Sequence, residues 1–459
     1  MDTYDTIAAI STAVGEAGIA IVRTSGDNSV EIVDKIFKAK SKKKLKDSEN
    51  RKFIYGHIYD NDKIIDEVLA VKMLGPHSYS GENIVEIHCH GGIVAVRRIL
   101  NLLLANGARL AQKGEFTKRG FLNGRIDLSQ AEAVIDLIKA KTEDSFDISM
   151  KQLKGSISKE VEKIEKNLVG MQALIVANID FPEDEVEDAT YDELKRRNDE
   201  ITLNIRELLN NAGRGKLLRE GINTLILGKP NVGKSSLLNG MLKYERAIVT
   251  DIPGTTRDTI EDYINLDGLL LKVTDTAGIR QTDDEVEKIG VKIARDKIKE
   301  ADLVIVIFDL SRPFNKDDRE ILDLIQNKKA LFIMNKDDLQ ARVSDEDIKE
   351  LLNDRDYLKL SVRNPEEIKL VENAIKDMFF SGEIIQKDQV YVNNIRHIDA
   401  LKKALKTMEE TRLDLENEVF LDLVEVNLEE ALEEISKITG EITTEDVLDR
   451  VFSEFCIGK

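Results

Sequence analysis

The stretch Gly228-Lys229-Pro230-Asn231-Val232-Gly233-Lys234-Ser235 decides the fold of the central part of this chain of 459 residues. It fits the pattern G-x-x-x-x-G-K-S/T and lies between an apolar run, Thr224 to Leu227, and a helix-like segment, Ser236 to Tyr244. In such a unit, glycines let backbone N–H groups approach phosphates, Lys234 reaches the β- and γ-phosphate oxygens, and the Ser235 hydroxyl binds Mg²⁺. The pattern predicts a nucleoside triphosphate site.

Two further motifs follow strand-like runs farther along the chain. Leu269 to Thr274 leads into Asp275-Thr276-Ala277-Gly278, where P-loop enzymes hold Mg²⁺ through water and sense the γ-phosphate. Ala330 to Met334 leads into Asn335-Lys336-Asp337-Asp338, which has the N-K-x-D pattern of GTPases. The aspartate of this pattern accepts from the N1 and N2 donors of guanine, and adenine offers no such pair of donors. The three motifs together therefore select GTP.

A stretch of small and turn-forming residues lies between the first two motifs. Thr250 to Asp258 is similar to the first switch of translation-factor-related GTPases, with Thr256 as the second hydroxyl ligand of Mg²⁺. Leu360 to Arg363 stands where related GTPases carry Ser-Ala-Lys, so we expect Ser361 to contact the base through its backbone. The residues expected to bind GTP are Asn231, Val232, Gly233, Lys234, Ser235, Ser236, Thr250, Asp251, Ile252, Pro253, Gly254, Thr255, Thr256, Asp275, Thr276, Ala277, Gly278, Asn335, Lys336, Asp338 and Ser361.

The residue that orients the attacking water is not evident from these motifs. Ras-type GTPases place a glutamine directly after the D-x-x-G element, but this chain has Ile279 there, which neither donates nor accepts a hydrogen bond. The carboxylates of Asp283 to Glu287 are candidates, because they follow in the same segment. A solvated helix start with favourable N-terminal charge explains this acidic run better than a catalytic role for any unspecified member.

Composition limits the class of protein. A net charge of −19 argues against broad, non-specific nucleic-acid binding, which requires clustered Lys and Arg. The two cysteines, Cys89 and Cys456, have neither disulfide-framework nor zinc-type spacing, which suits the reducing cytoplasm. We find no signal peptide and no apolar run of about 18 residues, so we expect a cytoplasmic protein without a membrane segment.

Hydrophobic periodicity predicts a multidomain protein of α/β and α classes. Residues 1–122 mix short strand-like runs with an amphipathic helix, which indicates an α+β domain. Residues 123–216 and 382–459 show helical spacing, and residues 217–381 carry the GTPase motifs. The simplest architecture inserts a Ras-like P-loop G domain between two halves of one helical domain. A separate C-terminal domain of fewer than about 80 residues would be marginal for an independent core.

The chain resembles the MnmE (TrmE) family of tRNA modification GTPases over essentially its full length. The resemblance rests on motifs that ordinary G domains lack: Ala17 to Arg23, His88 to Gly92, Gly114 to Arg119, Asn123 to Leu128, and the C-terminal Cys456-Ile457-Gly458-Lys459. It implies a cytoplasmic homodimer that forms a complex with the FAD-dependent MnmG (GidA) protein. The two proteins are expected to add an aminomethyl or carboxymethylaminomethyl group at C5 of wobble uridine 34 in certain tRNAs.

The resemblance also implies ligands and catalytic residues. A folate, 5,10-methylenetetrahydrofolate or 5-formyltetrahydrofolate, is expected in the N-terminal domain, which is also expected to mediate dimerisation. Its expected ligands are Arg23, Glu86, Arg125 and Lys459, a set whose charges suit a glutamate tail and a pterin edge. Cys456 stands at the family's C-terminal cysteine, where a catalytic role near the one-carbon unit is expected.

For GTP hydrolysis, the family pattern selects Glu287 from the acidic run and adds a potassium ion. The resemblance places Mg²⁺ on Ser235 and Thr256. It places K⁺ on Asn231, Thr250, Ile252 and Thr255, at a dimer of G domains. Such a cation replaces an arginine finger by neutralising the charge that develops between the phosphates.

Two other functions remain as alternatives. A regulatory GTPase acting as a ribosome or RNA assembly switch has the same G motifs, but it does not account for the N-terminal motifs or the Cys-Ile-Gly-Lys tail. A P-loop ATPase is disfavoured by the N-K-x-D element at Asn335 to Asp338.

Overall fold

The computed structural model describes residues 5–180, 191–245, 261–274, 297–326, 328–380 and 389–459. The first part of the chain forms a seven-stranded sheet with the order β3-β4-β5-β6-β2-β1-β7, in which β1 and β7 are parallel and the other pairs antiparallel. Its strands are β1 (Ile7–Ile10), β2 (Ala20–Ser25), β3 (Phe37–Ala39), β4 (Ile54–Asp60), β5 (Lys63–Met73), β6 (Ile84–Cys89) and β7 (Arg109–Leu110). Its helices are α1 (Ser29–Ile36), α2 (Ile93–Ala105) and α3 (Glu115–Leu122), with a short 3₁₀ turn at Leu45–Asp47.

Alternation along β2 and β6 separates the core face of this sheet from a charged face. Val22 and Ile87 are paired neighbours on the two strands, and both are buried in the core that α1 and α2 cover. Arg23 and Glu86 form the next pair. Because successive side chains of a strand point to opposite faces, these two charged groups lie on the side away from the core.

Helices follow the N-terminal sheet. They are α4 (Leu128–Lys139), α5 (Glu143–Leu153), α6 (Ser156–Asp180), α7 (Tyr191–Asn210) and α8 (Ala212–Glu220). Asp127 caps α4: its side chain accepts from the backbone N–H of Gln130, whose side chain accepts from the backbone N–H of Asp127. Such a reciprocal cap satisfies two backbone donors and defines where the helix begins.

A second sheet forms the central domain, which we define as residues 222–380. Its strand order is β13-β12-β11-β8-β10-β9, and only β9 runs antiparallel to its neighbour. Its elements are β8 (Ile222–Leu227), α9 (Lys234–Glu245), β9 (Glu261–Leu266), β10 (Leu269–Thr274), β11 (Leu303–Asp309), α10 (Lys316–Leu324), β12 (Ala330–Asn335), α11 (Asp345–Leu352), β13 (Tyr357–Leu360) and α12 (Pro365–Phe380). Ligands of such open parallel sheets bind at the carboxyl ends of the strands, where the predicted motifs lie.

The chain ends with α13 (Ile395–Glu416), α14 (Leu421–Thr439) and α15 (Glu445–Ser453). Helices α6 and α7 share one hydrophobic core with α13 and α14, which includes Leu168, Ile201, Met408 and Leu428. One bundle is therefore built from segments on both sides of the central domain. Among the helices that the structure describes, none combines the length and apolarity needed to cross a membrane.

Two leucines of α14 test the bundle core. Leu428 is fully buried, whereas Leu423 on the same helix is 57% exposed. We expect Leu428→Ala to lower the free energy of unfolding by about 2–5 kcal/mol, because a cavity is added to the lost apolar transfer energy. Leu423→Ala is the control, with an expected change within about 0.5 kcal/mol. Guanidinium unfolding followed by circular dichroism measures both, and equal shifts would contradict this bundle geometry.

Candidate functional site

The loop between β8 and α9 has the backbone that phosphate binding requires. Gly228 and Gly233 have φ of 149° and 116°, and Asn231 has φ of 63°. A Cβ on Gly233 would lie 2.3 Å from the side-chain nitrogen of Asn335, so only glycine fits there. The Lys234 ammonium donates to the carbonyls of Gly228 and Lys229 at 2.6 and 2.8 Å. The loop thus wraps around a positive charge at a helix N-terminus, an arrangement suited to phosphate.

The predicted guanine element is joined directly to this loop. Asn335 is 1% exposed, and its side chain donates to the carbonyl of Val232 at 2.5 Å. The same side chain accepts from the backbone N–H of Val362 at 3.0 Å. One asparagine therefore sets the distance between the phosphate end and the base end of the site.

Two further contacts order the base end. The Lys336 ammonium lies 2.5 Å from the carboxylate of Asp309 at the end of β11. Burial raises the pKa of Asp309, but hydrogen bonds from Lys336 and Ser311 outweigh it and hold the pKa below its usual value. Ser361 is buried, and its backbone N–H donates to Glu367 at 2.5 Å. Asp338 is exposed, so its carboxylate is accessible to a ligand.

The described chain contains only part of the predicted nucleotide site. Asn231, Ser235 and Ser236 are exposed on the phosphate loop and the first turn of α9. The predicted residues outside the described ranges are Thr250, Asp251, Ile252, Pro253, Gly254, Thr255, Thr256, Asp275, Thr276, Ala277, Gly278 and Glu287. The expected Mg²⁺ and K⁺ ligands within the described ranges are therefore Ser235 and Asn231.

A second site lies on the charged face of the N-terminal sheet. Arg23 pairs with Glu86 at 2.7 Å, and both side chains are 15% exposed. The guanidinium carbons of Arg23 and Arg125 lie 5.2 and 4.7 Å from the ring centroid of Tyr79, within cation–π distance. Glu86 also contacts the ring of His88 at 3.3 Å. The structure thus brings three of the four predicted folate ligands together around one tyrosine.

The C-terminal tail, residues 456–459, completes this group. The backbone N–H of Phe116 donates to the backbone carbonyl oxygen of Lys459 at 3.1 Å, and the Phe116 ring lies 5.7 Å from the Arg23 guanidinium. Gly114 likewise donates to the carbonyl of Cys456 at 3.3 Å. A Cβ on Gly458 would lie 2.2 Å from the carbonyl of Ile10, so glycine allows the tail to approach β1. We call the site formed by Arg23, Tyr79, Glu86, Phe116, Arg125 and the tail the N-terminal pocket.

A buried ion network explains the motif at Gly114 to Arg119. Arg119 is 7% exposed and contacts the carboxylates of Asp5, Glu82 and Glu115 at 2.5, 3.0 and 3.0 Å. These pairs hold α3, and with it Phe116, against the sheet. The motif thereby positions the residue that binds the tail.

Sequence reasoning assigned no site role to three side chains of this region, although two of them, His88 and Phe116, lie in motifs quoted above. Tyr79 links the two arginines, Phe116 links Arg23 to the tail, and His88 contacts Glu86. A signal for Tyr79 existed, since it is an aromatic residue between two serines in a polar loop. Phe116 lies in the motif Gly114 to Arg119 and is buried in a small core cluster with Ile7, Ala9 and Ala111, so the motif alone does not distinguish it from any other core phenylalanine.

Comparison with protein families matches nearly the whole chain. The model described as GTP-binding protein TrmE N-terminus matches residues 6–125. The model described as MnmE helical domain matches residues 128–456. Together the two matches cover the N-terminal pocket, both helical segments and the tail as far as Cys456.

Full-length relatives are similar throughout. The tRNA modification GTPase MnmE of Alkaliphilus oremlandii is 48% identical over 457 residues, which cover 99% of each chain. The protein of the same name from Finegoldia magna is 50% identical over 455 residues, which cover 99% of this chain and 100% of that one. The crystal structure of Era from Aquifex aeolicus bound to GDP and AlF4⁻ is 25% identical and covers 41% of this chain and 67% of that one, with a TM-score of 0.27. A TM-score this low carries no weight for fold or function.

The two cysteines differ in their expected reactivity. Cys89 is 3% exposed, and burial together with Asp66 raises the pKa of its thiol to about 11, whereas Cys456 is exposed. At about pH 8 we therefore expect iodoacetamide to modify Cys456 alone in the native protein and both thiols in denaturant. Intact-mass spectrometry counts the adducts. Cys456→Ser is the control and should remain unmodified when native; a native adduct in that variant would contradict the burial of Cys89.

Proposed function

Because the chain belongs to the MnmE family of tRNA modification GTPases, we propose that it hydrolyses GTP in its central domain to drive modification of wobble uridine 34 in certain tRNAs. The product carries an aminomethyl or carboxymethylaminomethyl group at C5, and a flavin-dependent partner, MnmG, supplies the flavin chemistry. The observation that carries the proposal is the presence in one chain of a phosphate loop joined to a guanine element and of the N-terminal pocket.

The central domain binds GTP through the loop between β8 and α9. Lys234 already lies within the loop and meets the β- and γ-phosphates, while Asp338 meets the guanine edge. The exposed hydroxyl of Ser235, with Thr256 from the first switch, supplies the hard oxygen ligands that Mg²⁺ prefers. An ion held by these residues would neutralise negative charge on the phosphates.

Hydrolysis depends on potassium and on dimerisation of the central domain. Asn231 is exposed and has a left-handed backbone, which suits a side-chain carbonyl oxygen offered to a cation beside the phosphates. Thr250, Ile252 and Thr255 supply the remaining ligands, and Glu287 orients the attacking water. A monovalent cation held there would stabilise charge that develops in the transition state.

The N-terminal pocket binds a tetrahydrofolate derivative, 5,10-methylenetetrahydrofolate or 5-formyltetrahydrofolate. Two guanidinium groups and the Lys459 side chain provide positive charge for a glutamate tail, and Glu86 is an acceptor for pterin N–H donors. The Tyr79 ring offers an apolar face between them. Cys456, exposed on the tail, acts near the one-carbon unit.

The chain acts as a cytoplasmic homodimer in complex with the MnmG partner and tRNA. A net charge of −19 gives this subunit little general affinity for phosphate backbones, so the partner provides much of the affinity for tRNA. The alternative function, a GTPase acting as a ribosome or RNA assembly switch, does not account for the N-terminal pocket or for the tail bound beside it. This disfavours the alternative.

Potassium dependence tests the hydrolysis mechanism. In KCl we expect GTP hydrolysis to be about tenfold or more faster than in NaCl at equal ionic strength, because K⁺ neutralises developing charge. Asn231→Ala should remove most of this stimulation. Glu287→Ala should lower kcat by about 10²–10⁴-fold in either salt. Steady-state phosphate release measures all three, and equal wild-type rates in both salts would exclude the potassium mechanism.

Folate binding tests the N-terminal pocket. Arg125→Gln removes an exposed guanidinium from the Tyr79 ring. We expect it to weaken binding of 5-formyltetrahydrofolate by about 10–100-fold, the loss typical of a charge-assisted hydrogen bond. Arg97→Gln, at an exposed position on α2, is the matched control and should bind as the unaltered protein does. Isothermal titration calorimetry gives the affinities. If the Arg125→Gln variant binds with full affinity, Arg125 is not a folate ligand.

A further inference from the structure

Positive charge is concentrated at one edge of the N-terminal sheet. Strand β3 is the outermost strand there, and residues 35–46, which include it, contain seven lysines and no aspartate or glutamate. The whole chain has a net charge of −19, so this segment differs strongly from the rest. The six lysines on β3 and in the loop after it are all exposed. We call them the lysine edge: Lys38, Lys40, Lys42, Lys43, Lys44 and Lys46.

The loop that carries these lysines is ordered. Leu45 is fully buried in the core of the N-terminal sheet. The carboxylate of Asp34 on α1 accepts from the backbone N–H groups of Leu45 and Lys46 at 2.6 and 3.1 Å. The backbone N–H of Lys42 donates to the carbonyl of Ala39 at 3.0 Å and closes a turn. The backbone therefore holds the lysines at defined positions, and a ligand does not have to order this loop when it binds.

The ammonium groups of the lysine edge are available to an anion. Within the described residues, none of the six forms an ion pair with a carboxylate, and the neighbouring Glu49 pairs with Lys52 at 2.8 Å. The Lys38 ammonium lies 4.3 Å from the ring centroid of Tyr59. Such a cation–π contact holds the charge in place without neutralising it. Unpaired, clustered cations are what the binding of a phosphate backbone requires.

Two simpler explanations account for only part of the lysine edge. Lysines on an edge strand prevent pairing with another sheet, but this applies to Lys38 on β3 and not to the lysines of the loop, because β3 ends at Ala39. Solubility is served by charge of either sign, and the rest of this chain uses mainly carboxylates for it. Neither explanation calls for a cluster of one sign in an ordered loop.

The lysine edge lies on the same face of the sheet as the N-terminal pocket. Lys38 pairs with His57 on β4, and His57 pairs with Glu67 on β5. Val71, four residues farther along β5 and thus on the same face, pairs with Glu86 on β6. Three strand spacings separate β3 from β6, about 14 Å. That distance corresponds to about four nucleotides of one RNA strand at 3.4 Å each.

We propose that the lysine edge binds the phosphate backbone of the tRNA substrate, a few nucleotides from the base that enters the N-terminal pocket. This inference rests on the proposed function, which supplies the tRNA. Contacts to phosphates position a nucleic acid without reading its sequence. The lysine edge thereby gives a chain of net charge −19 one local contact for RNA, next to the place where the modified base is required.

A triple variant of the loop and a control of equal charge test the inference in the full-length protein. The edge variant combines Lys43→Gln, Lys44→Gln and Lys46→Gln, three exposed side chains outside the nucleotide site and the N-terminal pocket. The control variant lowers the net charge by the same amount at three exposed lysines of α13, two of which already pair with carboxylates. It combines Lys402→Gln, Lys403→Gln and Lys406→Gln.

Fluorescence anisotropy with a labelled tRNA transcript that has uridine at position 34 gives the affinities, between about 50 and 200 mM KCl. At about 100 mM KCl we expect the edge variant to bind about 10–100-fold more weakly than the unaltered protein. Its plot of log K against log salt concentration should be less steep by about 2–3, because three phosphate contacts are lost. The control should bind within about twofold of the unaltered protein. A transcript with cytidine at position 34 should show the same loss, since phosphates carry no sequence information.

Four outcomes overturn the inference. The first is an edge variant with unaltered affinity and salt dependence, and the second is an equal loss in the control, which would indicate a general charge effect. The third is a loss of tRNA binding together with a lower mass in light scattering, which would make the lysine edge an interface between copies of this chain. The fourth is binding to phosphatidylglycerol vesicles that the edge variant loses while its tRNA binding is intact, which would make the edge a membrane contact.

GTP hydrolysis separates this inference from the proposed function. The edge variant should hydrolyse GTP within about twofold of the unaltered rate, because its lysines lie outside the nucleotide site. An unaltered protein that hydrolyses no GTP would contradict the proposed function, whereas the comparison of edge and control variants would still decide whether the lysine edge binds RNA. An unaltered protein that hydrolyses GTP but binds no tRNA at any of these salt concentrations would overturn the inference alone.

Discussion

The structure depends on one constraint: helices from both sides of the central domain share a single hydrophobic core. Ile201 of α7 and Met408 of α13 are both fully buried in it, although more than the whole central domain separates them in sequence. The two ends of that domain must therefore meet. Gly215 allows the close approach of the two connections there, and Asp136 of α4 pairs with Arg219 of α8 beside it. Buried ion pairs, Asp136 with Arg219 and Glu132 with Arg396, lie at this meeting place.

The N-terminal pocket forms because the chain, after completing the helical bundle, comes back to the N-terminal sheet. After the bundle, α15 packs against α4, and the last four residues reach β1 and α3 through backbone contacts. The pocket is thus composed of the first and last parts of the sequence. Strand alternation places Arg23 and Glu86 on one side of it, and the backbone carbonyl oxygen of Lys459 accepts a hydrogen bond from the first turn of α3.

Much of the site was predictable because local patterns encode it. Glycines and Lys234 define the phosphate loop whatever surrounds it. The family resemblance supplied Arg23 and Glu86, and the register of β2 and β6 puts them on the same face of the sheet. The link from Asn335 to Val232 was not predictable, because a side chain in one motif meets the backbone of another across 103 residues. The contacts of Tyr79 and the ion pairs of Glu132 and Asp136 were not predicted, for the same reason. Glu132 and Asp136 look like the polar face of any helix until Arg219 and Arg396 are placed beside them.

By itself the sequence indicated an α+β part followed by helical segments around a part with GTPase motifs, the nucleotide chemistry of that central part and the family resemblance. Short-range periodicity and short motifs carry that information, and they act over a few residues. Tertiary structure decided which charged groups are buried together, which aromatic ring joins the two arginines, and where the tail ends. These are contacts between residues hundreds of positions apart, such as Phe116 with Lys459 and Glu132 with Arg396. Their energies arise only when packing removes both partners from water.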